Sequence, residues 1–230
     1  MKILIVSATK FEIRPLADKI TFLQDENEFL SHYKYRHAEV DILITGIGMT
    51  ATAYHTGRQL LRSSYDLAIN TGICGSFDTS LQIGEVVDVV EENFCEMGAE
   101  INDQFLTLFD LGLMDPDDSP FKTGKLLNPT KSISPVLVGL TKVKGTTSST
   151  IHGKIETIIK IKERFKPDVE SMEGAAFFYS CLVAAVPFHQ VRSVSNYVKE
   201  RDKSKWNVNL ALKNLNSTLL NFLKEVPQQI

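Results

Sequence analysis

The sequence predicts an α/β fold on a mostly parallel sheet covered by helices on both faces. Three features carry this: short buried runs rich in β-branched residues, helix-period segments after them, and small or polar residues gathered where the strands end. With 230 residues, 43% hydrophobic and 23% charged, the chain has the apolar content for a sizeable core and is read as one domain, 1–230.

Ile3 to Ala8 is a continuous apolar strand, and Phe11, Ile13, Leu16 and Ile20 follow at helical spacing. Val40 to Thr45 gives a second strand, Gly46-Ile47-Gly48 a tight turn and Thr50 to Leu61 a helix, so the βα unit repeats. Asp66 to Thr71 is a strand ending in Gly72-Ile73-Cys74-Gly75, and Glu85 to Glu91 another after the turn signal at Gly84. From Met97 to Thr130 the periodicity fades, and Asp115 to Pro120 reads as loop. Val136 to Val143 is expected as a strand, His152 to Phe165 and Ser171 to Ala185 as helices, Phe188 to Ser195 as a strand and Ser204 to Leu223 as a closing amphipathic helix. Such an order binds ligands beyond the carboxyl ends of its strands.

A net charge of -3 lacks the field that neutralises phosphate backbones, so no nucleic-acid partner is expected, and the basic run Lys199 to Lys205 reads as a solvated face. The apolar stretch Gly174 to Phe188 is shorter than the roughly 20 residues needed to span a bilayer, so no membrane association is expected. Cys74, Cys95 and Cys181 are odd in number and widely spaced, which favours a reducing, cytoplasmic location over a disulfide framework. The five histidines lack metal-ligand spacing and there is no C-x-x-C, so neither metal nor cofactor is expected. Serine-hydrolase elbows and P-loops are also missing from the sequence.

The candidate site residues have two readings each when taken alone. Glycines after buried strands either make turns or let a ligand approach the backbone. Glu170 and Glu173 either favour a positive helix N-terminus or, for Glu173 before Gly174-Ala175-Ala176, meet a ligand. Asn196 ends a strand as a turn residue or a base contact, and Glu12 is either a surface residue or a general base.

Taken together, Glu12, Gly46-Ile47-Gly48, Asn70-Thr71-Gly72-Ile73-Cys74-Gly75, Met172-Glu173 and Ser195-Asn196 resemble, in order and over nearly the whole chain, the purine nucleoside phosphorylase and nucleosidase superfamily. The resemblance implies a three-layer sandwich with a mostly parallel, mixed central sheet, and a homo-oligomer. Arg192 to Val198, with Arg201, Asp202 and Trp206, is most similar to the futalosine hydrolases of menaquinone biosynthesis. By this resemblance Met172 and Glu173 contact the ribose, Glu12 activates water, Asn196 grips the base, and Ile47, Ile73, Cys74, Gly75, Ser195 and Arg192 complete the substrate contacts. The implied substrate is a purine nucleoside whose acidic 5′ tail meets Arg201 or a nearby lysine, with Trp206 or Tyr197 flanking its ring.

Adenine-specific relatives carry Asp where this chain has Asn196. A protonated carboxyl matches the acceptor N7 and amino donor of adenine, whereas a carboxamide's two donors match N7 and O6 of hypoxanthine, so Asn196 favours a 6-oxopurine. A phosphorylase needs a glycine-rich first loop with arginines, and Ser7-Ala8-Thr9-Lys10-Phe11-Glu12 offers neither, so water is the expected nucleophile. The alternatives are an adenine-releasing methylthioadenosine and adenosylhomocysteine nucleosidase, a 6-oxopurine phosphorylase in which Lys10 and Arg14 hold the anion, and a binding protein without turnover. Ser171, which stands where many relatives have an acidic residue, is expected as a helix N-cap.

Overall fold

The computed structural model describes residues 1–227 except 103, 133, 200 and 201. In chain order the elements are β1 (Lys2–Ser7), α1 (Lys10–Ala17), β2 (Thr21–Asp25), β3 (Leu30–Tyr35), β4 (Ala38–Ile44), α2 (Met49–Arg62), β5 (Leu67–Ser76) and β6 (Val86–Glu92). There follow β7 (Gly98–Ile101), β8 (Gln104–Thr107), β9 (Leu126–Leu127), α3 (Pro135–Val138), β10 (Thr141–Thr147), α4 (Ile155–Phe165), β11 (Val169–Ser171), α5 (Gly174–Val183), β12 (Phe188–Tyr197) and α6 (Val208–Glu225). None of the described helices is long and apolar enough to cross a membrane, and all three cysteines are buried and free.

Strands β12, β5, β1 and β4 run parallel side by side, and β3 and β2 extend that edge as an antiparallel hairpin. On the other side β6 lies antiparallel to β12, then come β10 and β11. Strand β11 also pairs with β5, so β5, β12, β6, β10 and β11 close into a ring within the sandwich.

Alternation along β1 divides the core. Leu4 and Val6 pack with Phe177 and Phe178 of α5, while Ile3 and Ile5 pack with Leu16 of α1 and Leu215 and Leu219 of α6. Because both faces are covered, β1 reads as an unbroken apolar run, whereas β5 and β12 bury polar residues, among them Asn70, His189, Gln190 and Arg192.

Several expectations need correction. Val136 to Val143 is not one strand. Ser134 caps α3, its Oγ accepting the Leu137 N–H at 3.3 Å, and Pro135 occupies the first turn, so the strand begins only at Thr141. The strand expected over Asp66 to Thr71 runs on through Gly72, Ile73, Cys74 and Gly75 to Ser76, and side chains from neighbouring elements crowd its two glycines. Ser171 belongs to β11 and the helix starts at Gly174, although the Ser171 Oγ accepts the Gly174 N–H at 3.1 Å, a capping contact in substance. The helix expected from His152 begins at Ile155, and the one expected from Ser204 begins at Val208, where the Asn207 side chain accepts the Leu210 N–H.

Candidate active site

The carboxyl ends of β1, β4, β5, β11 and β12 surround a cleft of about 260 Å³. Its wall includes Glu12, Ile47, Ile73, Cys74, Gly75, Met172, Glu173, Ser195 and Asn196, so nine of the sequence-derived candidates converge on one cavity. Arg192 does not line it. Only 1% exposed on β12, the guanidinium lies behind the carboxylates, so its expected direct contact with substrate becomes one step removed.

Glu12 is placed by its own helix. Thr9 is the N-cap, its hydroxyl accepting the Glu12 N–H at 3.3 Å and donating to Glu12 Oε2 at 2.9 Å. Glu12 Oε1 accepts the Ile73 N–H of β5 at 3.2 Å. From α6 the buried Asn216 donates to the Glu12 carbonyl at 2.9 Å and accepts the Leu16 N–H at 3.0 Å, clamping α1 to its neighbour α6 on the same face of the sheet. Burial lifts the Glu12 carboxyl above its ordinary value, against Arg192, the Ile73 N–H and Thr9, while Glu173 adds to the rise.

Glu173 ends the short link from β11 into α5. Its Oε1 accepts the Gly48 N–H at 3.1 Å and its Oε2 faces Arg192 Nη1 at 3.5 Å. Gly46 and Gly48 hold φ of 85° and 97°, which lets the loop turn its amide toward the carboxylate. Arg192 also donates to Asn70 Oδ1. A Cβ on Gly72 would lie 2.5 Å from Arg192 Nη1 and 2.8 Å from Glu12 Oε1, so bare backbone here is what admits both groups.

At the other end of the cleft, the Ser195 hydroxyl donates to Asn196 Oδ1 at 2.8 Å, and Asn196 Nδ2 donates to the Tyr197 carbonyl at 3.3 Å. The carboxamide oxygen is thereby fixed and the amino end remains as donor. Trp206 and Val208 close this side. A second hollow of about 180 Å³ shares Ile151, Asn196 and Trp206 with the cleft and adds Tyr197, Lys199 and Lys205, whereas Arg201 lies outside the described residues.

Sequence reasoning missed the support behind these groups. Glu92, on β6, accepts from Gln190 Nε2 at 2.7 Å and Thr147 Oγ1 at 2.9 Å, and burial pushes its carboxyl up to about 7. Thr147 Oγ1 in turn accepts the Ala175 N–H at 2.7 Å, tying the first turn of α5 to that buried carboxylate. Glu170 and Thr150 also reach the cleft wall.

Three carboxylates, Glu12, Glu170 and Glu173, line the cleft, and no lysine or arginine does so among the described residues. Arg14 is exposed and pairs with Asp18. Such a cavity suits an electron-poor sugar better than a phosphate ion.

Comparison with known proteins agrees with this geometry. The family model of the phosphorylase superfamily matches residues 2–224. The futalosine hydrolase of Acidothermus cellulolyticus is 29% identical over 94% of this chain and 87% of its own. The 5′-methylthioadenosine/S-adenosylhomocysteine nucleosidase of Maridesulfovibrio salexigens is 30% identical over 89% of each. In fold, the native futalosine hydrolase structure of Helicobacter pylori superposes with a TM-score of 0.82 over 98% of both chains, at 16% identity. The chain thus belongs to the phosphorylase superfamily and stands within it among N-glycosyl hydrolases.

Proposed function

We propose that the cleft hydrolyses the N-glycosidic bond of a 6-oxopurine nucleoside, and that the nucleoside is futalosine, cleaved to hypoxanthine and dehypoxanthine futalosine in menaquinone biosynthesis. The relatives that carry the futalosine and methylthioadenosine names stand at nearly equal identity, so the choice rests on Asn196. Its oxygen is held by Ser195 and its amino group remains to donate to N7 or O6 of the base.

Glu173 accepts the 2′ and 3′ hydroxyls of the ribose beside Met172, and Glu12 takes the proton of the attacking water. As the C1′–N9 bond breaks, its electron pair leaves with the purine and positive charge grows on the sugar, where the Glu173 and Glu12 carboxylates stabilise it. Water adds to C1′, and the purine gains its proton from solvent, because a carboxamide is not a useful acid. Arg192, behind both carboxylates, holds Glu173 in place. Absence of cations from the described wall of the cleft supports water over phosphate as nucleophile. Lys199 in the adjoining hollow supplies the charge for an acidic 5′ tail, with Trp206 on the shared wall, while Lys205 there is paired with Asp202 at 3.0 Å.

The test is chromatographic detection of base released from futalosine, inosine and methylthioadenosine, with and without phosphate. Hypoxanthine from futalosine in phosphate-free buffer is expected. Adenine as the preferred product would reject the Asn196 argument, and strict phosphate dependence would reject hydrolysis.

A further inference from the structure

Glu92 is 1% exposed and lies outside the cleft wall, so the chemistry above gives it no task. Taking a carboxyl out of water is costly, yet two elements make room for this one. A Cβ on Gly145 of β10 or on Gly174 at the start of α5 would collide with Glu92 Oε1, and the Gly174 Cβ would also lie 2.6 Å from Gln190 Nε2. Gly174 is outside the left-handed region, so crowding alone excludes a side chain there. The first residue of α5 therefore rests on the Glu92–Gln190 pair, whose hydrogen bond is 2.7 Å long.

Glu173, the residue just before that seat, is the N-cap of α5, where a side chain normally accepts the N–H of the second or third helical residue. Its side chain makes no such bond, being turned to the Gly48 N–H and Arg192 at the cleft. The caps come from elsewhere: Ser171 Oγ accepts the Gly174 N–H at 3.1 Å, and Thr147 Oγ1 accepts the Ala175 N–H at 2.7 Å. The Thr147 hydroxyl directs its own proton to Glu92 Oε2, 2.9 Å away. A continuous chain thus runs from Glu92 through Thr147 to the backbone two residues beyond Glu173. Arg192 holds the carboxylate end of Glu173, and Glu92 holds the backbone from which that side chain springs.

We infer that Glu92 is a positioning residue for Glu173: through the Thr147 hydroxyl and the contact under Gly174 it sets where the ribose-binding carboxylate stands. This rests on the role proposed for Glu173 and extends it. Burial pushes the Glu92 carboxyl up to about 7, so the neutral form is well populated near neutral pH and the hydrogen-bonded shape, more than the charge, carries the effect.

The experiment measures kcat on whichever of futalosine, inosine and methylthioadenosine the wild-type chain cleaves fastest, well below the Tm of each variant. Thr147→Val keeps the volume but removes the link, and should lower kcat about tenfold or more. In a Glu173→Gln background the same change should cost less than about threefold, because no carboxylate is left to misplace, whereas a loss of fold stability alone would cost the same in both. Glu92→Ala should match Thr147→Val. Glu92→Gln should restore kcat to within about threefold of wild type, since its oxygen accepts from Thr147 and its N–H meets Gln190 Oε1 once that amide turns over; this oxygen has no partner among the described residues. Equal losses in the two backgrounds, wild-type kcat in Thr147→Val, or Glu92→Gln no faster than Glu92→Ala overturns the role of Glu92 and leaves the hydrolase reading standing. Near-normal kcat in Glu173→Gln alone overturns the role of Glu173 and this one with it. No base released by the wild type from any of the three overturns the hydrolase reading and this role together.

Discussion

Gly72→Ala tests whether the site is built on bare backbone. The added Cβ would lie 2.5 Å from Arg192 Nη1 and 2.8 Å from Glu12 Oε1. To restore ordinary 3.4 Å contact the guanidinium must retreat by about 0.9 Å and the carboxylate by about 0.6 Å. Gly72 is not in the left-handed region, so alanine brings no backbone strain and the whole effect comes from these two contacts. Overpacking of this kind costs about 1–3 kcal/mol, which in a chain of this size lowers Tm by roughly 2–12 °C. Misplacing a catalytic group by near 1 Å costs about a hundredfold in rate, so turnover should fall further than stability alone explains. Thermal unfolding by circular dichroism and base release from futalosine give the two readings. Gly57→Ala in α2, where an added Cβ meets nothing within 4 Å, is the control and should keep full activity with stability equal or up to about 1 kcal/mol higher. Wild-type Tm and turnover in Gly72→Ala would refute the packed arrangement of Glu12 and Arg192.

Asn196→Asp replaces the free donor with an acceptor. Losing about 2 kcal/mol on a 6-oxopurine, near 30-fold, should move the kcat/KM ratio toward adenine nucleosides, and an unchanged ratio rejects the donor role. Glu173→Gln keeps an oxygen for the Gly48 N–H but removes the charge facing the sugar, so kcat should fall about 100-fold or more; near-normal turnover would remove Glu173 from the mechanism. General-base catalysis needs ionised Glu12, so activity is lost as pH falls through its pKa. Because burial raises that pKa, the acid limb of kcat/KM should lie above the ordinary 4.5, and a limb at or below 4.5 would contradict an essential role for Glu12.

The site was legible where it depends on local order. Glu12 one turn inside a helix, the glycines after β4, Met172-Glu173 before α5 and Ser195-Asn196 at the end of β12 can all be read along the chain, and the sheet gathers them because parallel strands align their carboxyl ends. What stayed hidden depends on partners far away in sequence. Asn216 reaches Glu12 across 204 positions, and Glu92 supports α5 through Thr147. For Gly72-Ile73-Cys74-Gly75 the sequence leaves a turn and a close approach to the backbone both open, and crowding decides between them, since β5 continues under Glu12 and Arg192. The hairpin β2–β3 leaves little trace in the sequence, since β2 is exposed throughout and lacks the alternation that marks a half-buried strand. Val136-Leu137-Val138 shows the limit of apolar runs as a signal, for the preceding Ser134-Pro135 decided in favour of a helix.

The charges around the cleft bear on both the nucleophile and the base. Glu12 and Glu173 share Arg192 behind them, which keeps two carboxylates near one another without placing a cation where phosphate would bind. Adding a positive side chain to the front of the cleft would attract an anion but oppose the charge that develops on the sugar, so the arrangement that disfavours phosphate also favours an oxocarbenium-like transition state. At the base end the sign requirement reverses: negative charge leaves with the purine, and the group proposed to meet it is the donor of Asn196. Acids braced from behind by Arg192 thus face the sugar, while the neutral donor of Asn196 faces the departing base, which is the order that heterolysis of a glycosidic bond requires.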